Sequence, residues 1–247
     1  MTRRDGVRGR PSLAAAVALA LCCSVQFGAT PSPVKVVDSY RSALASLKRP
    51  PFVEFTYTHT RSGPSRIVTE EHRVYRTLDG QERNDTVMVN GTPIVPAASR
   101  ILHRPVWPYD VAQFAPSPDD YDVSLAAPAF VSGRKALALK LARRTAADFT
   151  LKDLFFDPRR FLPLRETFSV TGGNCSGDGL INFGPASEYW LPTSIQVTCT
   201  AQTPSGPAVY KESIRFSNYA FPNAIPADVF NASASSPDTQ ATPTQTP

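Results

Sequence analysis

Histidine, cysteine, methionine and tryptophan are all scarce in this chain, at 3, 4, 2 and 2 of 247 residues. The histidines, His59, His72 and His103, are scattered, and neither a C-x-x-C nor an H-x-x-x-H pair occurs, so the spacing points to no metal and no cofactor. Charged residues make up 19%, below the usual quarter, which excludes a charge-rich disordered chain. There is no G-x-S-x-G, no P-loop and no G-x-G-x-x-G. The stretch Gly173-Asn174-Cys175-Ser176-Gly177 has the wrong spacing for a nucleophile elbow. Adjacent carboxylates occur at Glu70-Glu71 and Asp119-Asp120, but neighbours on a strand point to opposite faces, so Glu70 and Glu71 do not converge for acid/base work. No histidine lies where it would activate a serine or cysteine. The chain therefore reads as non-enzymatic, with no catalytic residue. A hydrolase would need a Ser or Asp within hydrogen-bond reach of one of the histidines.

What is abundant is proline, at 24 residues, together with 14 Phe and 8 Tyr. Proline ends helices, which argues against a long-helix bundle and for short strands joined by turns. The aromatics supply a real core. The formal charge of +5 is concentrated at the start, where Arg3, Arg4, Arg8 and Arg10 face only Asp5. Without that segment about +2 remains, which gives no reason to expect nucleic acid as a partner.

Residues 1–29 read as a signal peptide: a basic start, an apolar run from Leu13 to Cys23, then polar and proline-rich residues from Ser24 to Pro33. The run is shorter than the ~20 residues of a membrane span. The expected destination is the periplasm, and an uncleaved anchor is the alternative. Leu19-Ala20-Leu21-Cys22 resembles a bacterial lipobox, which would place a lipid anchor at Cys22, although Leu21 stands where that pattern has a small residue. Cys175 and Cys199 then remain as an even pair, expected as a disulfide worth roughly 3.5 kcal/mol by loop entropy, with two free buried thiols as the alternative. N-x-S/T sequons occur at Asn84, Asn90, Asn174 and Asn231 and matter only in a eukaryotic secretory route. Residues 231–247 carry no large apolar side chain and read as a disordered tail.

Between these ends, residues 30–230 form one expected domain. Val37, Tyr40, Leu44 and Leu47 line one face of a helix from Val34 to Lys48, which Arg49-Pro50-Pro51 ends. Alternating strands are expected at Phe52–Thr60, Arg66–Thr77, Thr86–Val89 and Thr92–Val95, the last two joined by an Asn90-Gly91 hairpin turn. Six prolines from Pro93 to Pro118 exclude a central strand there. Inside that stretch Pro108 opens a short helix with Trp107, Val111 and Phe114 on one side, a pattern suited to a lid or to a surface connection. Strand patterns resume at Tyr121–Leu125 and recur to Ser217 with no helix between them, which argues for an antiparallel meander. A long curved sheet with so little helix to fill its concave side offers an apolar groove. An acyl chain would gain about 0.8 kcal/mol there per buried CH₂.

The second half also resembles a known family. Tyr121-Asp122-Val123-Ser124-Leu125, Val131-Ser132-Gly133-Arg134-Lys135-Ala136 and Leu139-Lys140-Leu141 occur in the order of the strand, G-R turn and leucine-alternating strand of LolA/LolB-type outer-membrane lipoprotein-sorting carriers and the related RseB-like sensors. Leu154 to Phe168 resembles the following hairpin, Leu180 to Phe183 and Leu191-Pro192-Thr193-Ser194-Ile195 the next strands, and Asn223 to Phe230 the closing I-P-x-x-x-F. The resemblance implies a mainly β (α+β) fold: a strongly curved antiparallel half-barrel of about eleven strands, with an N-terminal helix and a lid helix (Pro108 to Ala115) on its concave side. It also implies a monomeric carrier or chaperone for the acyl chains of lipids or lipoproteins, exchanging them with membrane donor and acceptor proteins. The expected lipid-binding lining is Val53, Phe55, Tyr57, Leu137, Leu139, Leu141, Phe168 and Phe183, under a lid of Trp107, Val111 and Phe114. An RseB-like sensor working through a protein partner is the alternative. The proline-rich middle, the Cys175–Cys199 pair and the lack of a second domain depart from the family pattern.

Overall fold

A computed structural model describes residues 32–172 and 175–231. The expected signal peptide, the Cys22 anchor, Asn174 and all of the expected tail beyond Asn231 lie outside the described residues. The helix α1 spans Pro33–Ala45. Ser32 caps it, its hydroxyl accepting from the Lys35 amide at 3.3 Å, and proline occupies the first turn. Val36, Val37, Tyr40 and Leu44 form its buried stripe, so the 3.6-residue period decides which face meets the sheet.

Twelve strands follow: β1 (Phe52–Ser62), β2 (Ile67–Thr77), β3 (Gln81–Val89), β4 (Thr92–His103), β5 (Tyr121–Leu125), β6 (Ala129–Val131), β7 (Arg134–Arg143), β8 (Phe149–Phe156), β9 (Pro163–Gly172), β10 (Cys175–Ala186), β11 (Tyr189–Thr203) and β12 (Gly206–Ala220). They form one curved, unclosed antiparallel sheet in the order β4-β3-β2-β1-β12-β11-β10-β9-β8-β7-β5, with β6 added beside β7. The expected architecture is present, with twelve strands where about eleven were expected.

Several expected boundaries differ: α1 ends at Ala45 where Lys48 was expected, and β3 begins at Gln81 where Thr86 was expected. β4 continues through Pro93 and Pro96 to His103 instead of stopping at Val95. It lies at the end of the sheet, where a proline removes no ladder bond from an inner neighbour. The lid segment forms one 3₁₀ turn, Val111–Phe114, in place of an α-helix, with the Asp110 carboxylate accepting from the Ala112 amide at 2.9 Å. Pro116 bars the helix from continuing. The Asn90-Gly91 hairpin is as expected, both residues having positive φ, 49° and 78°. The Cys175–Cys199 pair is a disulfide, with Cα atoms 5.7 Å apart, stapling β10 to β11.

The inner face of the sheet carries two clusters of different character. Strands β5 to β11 place Leu139, Leu154, Phe156, Phe168, Ile181 and Phe183 against α1. Phe168 lies across β10 at Gly179, where a Cβ would fall 2.4 Å from its ring. Strands β1, β2 and β12 place Val53, Phe55, Val74, Ile214 and Phe216 beneath Trp107 and Tyr109 of the loop after β4. Aromatic contacts pin that loop: Trp107 lies 5.7 Å from Phe55, and Tyr109 meets the Phe216 ring edge-on at 5.3 Å.

Candidate functional site: a cavity between helix and lid loop

Between the two clusters lies a cavity of about 310 Å³. Leu47 to Pro50, after α1, form one wall, and Val53 of β1 with Arg76 to Leu78 of β2 form another. The loop from Pro105 to Gln113 roofs it, and Trp190 and Leu191 close the far side. Its lining mixes hydrocarbon and indole surface with the charged groups of Lys48, Arg49, Arg76 and Asp110. Its volume sits at the low end for ligand pockets, enough for a short chain or the end of a long one.

The rim is held by ion pairs. Arg49 Nε donates to Asp110 Oδ2 at 2.8 Å, joining the end of α1 to the lid turn. Lys48 pairs with Glu188. Deeper in, Arg76 Nη1 donates to Glu82 at 2.9 Å and Arg76 Nη2 to the Arg104 carbonyl at 2.6 Å, so a buried guanidinium ties the start of the lid loop to β2 and β3. Trp190 donates its indole N–H to the Pro163 carbonyl at 2.8 Å, which fixes that wall.

Of the expected lining, Val53 borders the cavity. Phe55 and Tyr57 lie farther along β1, Phe55 beneath Trp107 and Tyr57 stacked on His72 at 4.4 Å. Leu139, Leu141, Phe168 and Phe183 are buried in the cluster under α1, and Leu137 packs against it. Of the expected lid residues, Trp107 and Val111 border the cavity, while Phe114 packs on Phe149 and Phe183 at 6.1 and 6.0 Å. Sequence reasoning missed Leu78, Val106 and Trp190, because no period or motif places strand ends and loops around a common void.

Under α1 one polar pair interrupts the hydrocarbon. Glu166 is fully buried, accepts from the Tyr40 hydroxyl at 3.2 Å through Oε1, and has no hydrogen-bond partner at Oε2. Burial pushes its carboxyl well above the usual carboxylate range, and burial likewise raises the Tyr40 phenol.

No family model matches the sequence, and no curated protein matches it. Solved structures do. A domain of Vibrio parahaemolyticus named for outer-membrane lipoprotein sorting matches at TM-score 0.47 and 12% identity, over 81% of this chain and 97% of that one. A LolA-superfamily protein of Nitrosomonas europaea matches at TM-score 0.38 and 11% identity, over 81% and 98% of the two chains. MucB of Pseudomonas aeruginosa, solved with MucA, matches at 0.27 and 14%, over 77% and 100%.

Proposed function

We propose that this chain is an exported, non-enzymatic carrier that receives an acyl chain of a lipid or lipoprotein in the cavity between α1 and the lid loop, and passes it between a membrane donor and acceptor. The observation that carries this reading is a partly apolar void roofed by a loop that the aromatic contacts of Trp107 and Tyr109 and the Arg49–Asp110 pair hold down. These few contacts sit on an otherwise irregular segment, so the roof can lift without breaking a strand ladder. The closed volume suits a chain end. Lifting Trp107 would extend it over Phe55 and Tyr57, and the lining expected from sequence, Leu137 to Phe183, would be reached only if α1 also moved. Each buried methylene would add about 0.8 kcal/mol, which sets the scale against which lid opening competes. The Cys175–Cys199 disulfide suits an oxidising compartment such as the periplasm.

Native mass spectrometry of detergent-free protein, followed by lipid extraction, tests the proposal. Co-purifying acyl lipid is expected. Leu78→Asp and Val106→Asp, at wall positions that are 55% and 57% exposed, should remove most of that lipid without lowering the melting temperature. An empty wild-type protein, or an unchanged load in both variants, would overturn it. The RseB-like reading has its own support: edge strand β4 exposes Val95 and Ile101 beside unpaired backbone, a surface to which a partner strand could add.

A further inference from the structure

The inner face has a second hollow, separate from the lid cavity. It measures about 530 Å³ and lies at the β1–β2 turn, bordered by Arg61, Glu70, Glu212 and Cys199 among others. Beside Glu70, one of its lining residues, stand His59 of β1 and His72 of β2. The two histidines that are far apart in sequence are thus neighbours in space, on adjacent antiparallel strands. His59 pairs in register with Glu70, and His72 lies one inward position farther along β2.

Each histidine is oriented by a hydrogen bond. The nitrogen Nε2 of His59 donates to Glu212 Oε1 at 2.6 Å, and its Nδ1 lies 3.9 Å from Glu70 Oε2. The nitrogen Nδ1 of His72 donates to Asn84 Oδ1 at 2.9 Å, and Asn84 is itself oriented because its amide donates to the Tyr57 hydroxyl at 2.8 Å. His72 Nε2 lies 3.7 Å from Glu70 Oε2. His72 is 9% exposed, and its Nε2 is buried with no hydrogen-bond partner among the described residues. The free ring nitrogens of both histidines and a carboxylate oxygen thus converge, and candidate ligand atoms of all three residues lie within 4.8 Å of one another.

We infer that His59 Nδ1, Glu70 and His72 Nε2 form a binding site for a divalent transition metal of the zinc class. Two imidazoles and one carboxylate are a zinc donor set, and adjacent ligands of a tetrahedral ion stand about 3.3 Å apart, so separations of 3.7 and 3.9 Å to Glu70, within a span of 4.8 Å, must close by about half an ångström to about 1.5 Å as the side chains turn onto an ion. Glu212 and Asn84 each hold the far nitrogen of a ligating imidazole, which fixes tautomer and ring plane as outer-sphere partners do in metal sites. Glu70 also lines the hollow, which puts open space beside the cluster. Arg61 now occupies the cation's place beside Glu70, its Nη2 at 2.9 Å, and its half-exposed side chain can swing out to solvent.

The test is calorimetric titration of the chelator-treated full chain with zinc chloride. One equivalent should bind. Glu70→Gln and His72→Gln should each weaken binding at least tenfold, Glu212→Gln by about ten- to a hundredfold, and His103→Gln should leave it unchanged. Arg61→Gln removes the competing cation and should tighten binding, a gain that misfolding cannot produce. Absence of binding, binding indifferent to Glu70→Gln, or an Arg61→Gln variant that binds no tighter than wild type would overturn the inference. Lipid load plays no part in this readout, so the site stands or falls independently of the carrier proposal.

Discussion

A single inward-facing row runs across the sheet from β2 to β5 and changes character half-way. From one side it reads Glu70, His59, Ile214, Ile195, Ile181, and from there Glu166, Leu154, Leu139, Leu125. On strands β5 to β11 this face is covered by α1, and its residues are nearly all aliphatic or aromatic. On β1 to β3 no helix lies over it, and His59, Glu70, His72, Arg76 and Glu82 share it, each with a polar partner. Backbone and pleat are the same on both sides. What differs is the cover: a helix has an apolar stripe to bury and demands an apolar floor, whereas a loop at one margin leaves room for water and so tolerates charge, provided the charges are paired.

The sharpest way to break this comparison is to place a charge on each side. Leu139→Asp puts a carboxylate at a fully buried site under α1 and should cost about 4 kcal/mol or more in urea unfolding. A loss under about 1 kcal/mol would mean that α1 is not a fixed cover. Next in size is Glu166→Gln, which tests the polar intruder on the apolar side. The native carboxyl has a raised pKa, so the folded state holds its proton more tightly than the unfolded chain, and stability falls as pH rises above the ordinary carboxylate range. Gln keeps the contact with Tyr40 and does not ionise. The variant should therefore gain on wild type as pH goes from about 5 to about 8, read from urea midpoints; parallel midpoints would contradict the burial of that charge. The smallest effect belongs to the polar side: His59→Leu should change stability by about 1 kcal/mol or less, because Glu70 keeps Arg61 and Glu212 reaches solvent. A cost matching that of Leu139→Asp would erase the distinction between the halves.

Much of this was readable from sequence, and the reasons for the remainder are specific. Alternation in Phe52–Thr60 and Leu137–Leu141 gave strands and faces because period two is all a strand needs. The helix register of Val37, Tyr40 and Leu44 was equally plain. The extent of β4 was not, since proline excludes a central strand but not an edge strand, and a sequence does not say which strand is at the edge. Glu166 stands between Leu164 and Phe168 at the same parity, a visible sign of a carboxyl on an apolar face, although its partner Tyr40 could come only from the fold. His59 and His72 likewise keep the parity of Phe55 and Val74. Their meeting depends on the β1–β2 register, which no motif spacing encodes. The lid cavity was the least legible feature, being assembled from a helix end, two strand ends and a loop.

The Cys175–Cys199 link joins β10 to β11 at the polar hollow, and Cys199 is itself in that wall. Cutting the link would leave the aliphatic half under α1 untouched and free the tip of one hairpin to splay. The ambient thiol balance would then act on the vessel's mouth and leave its keel alone.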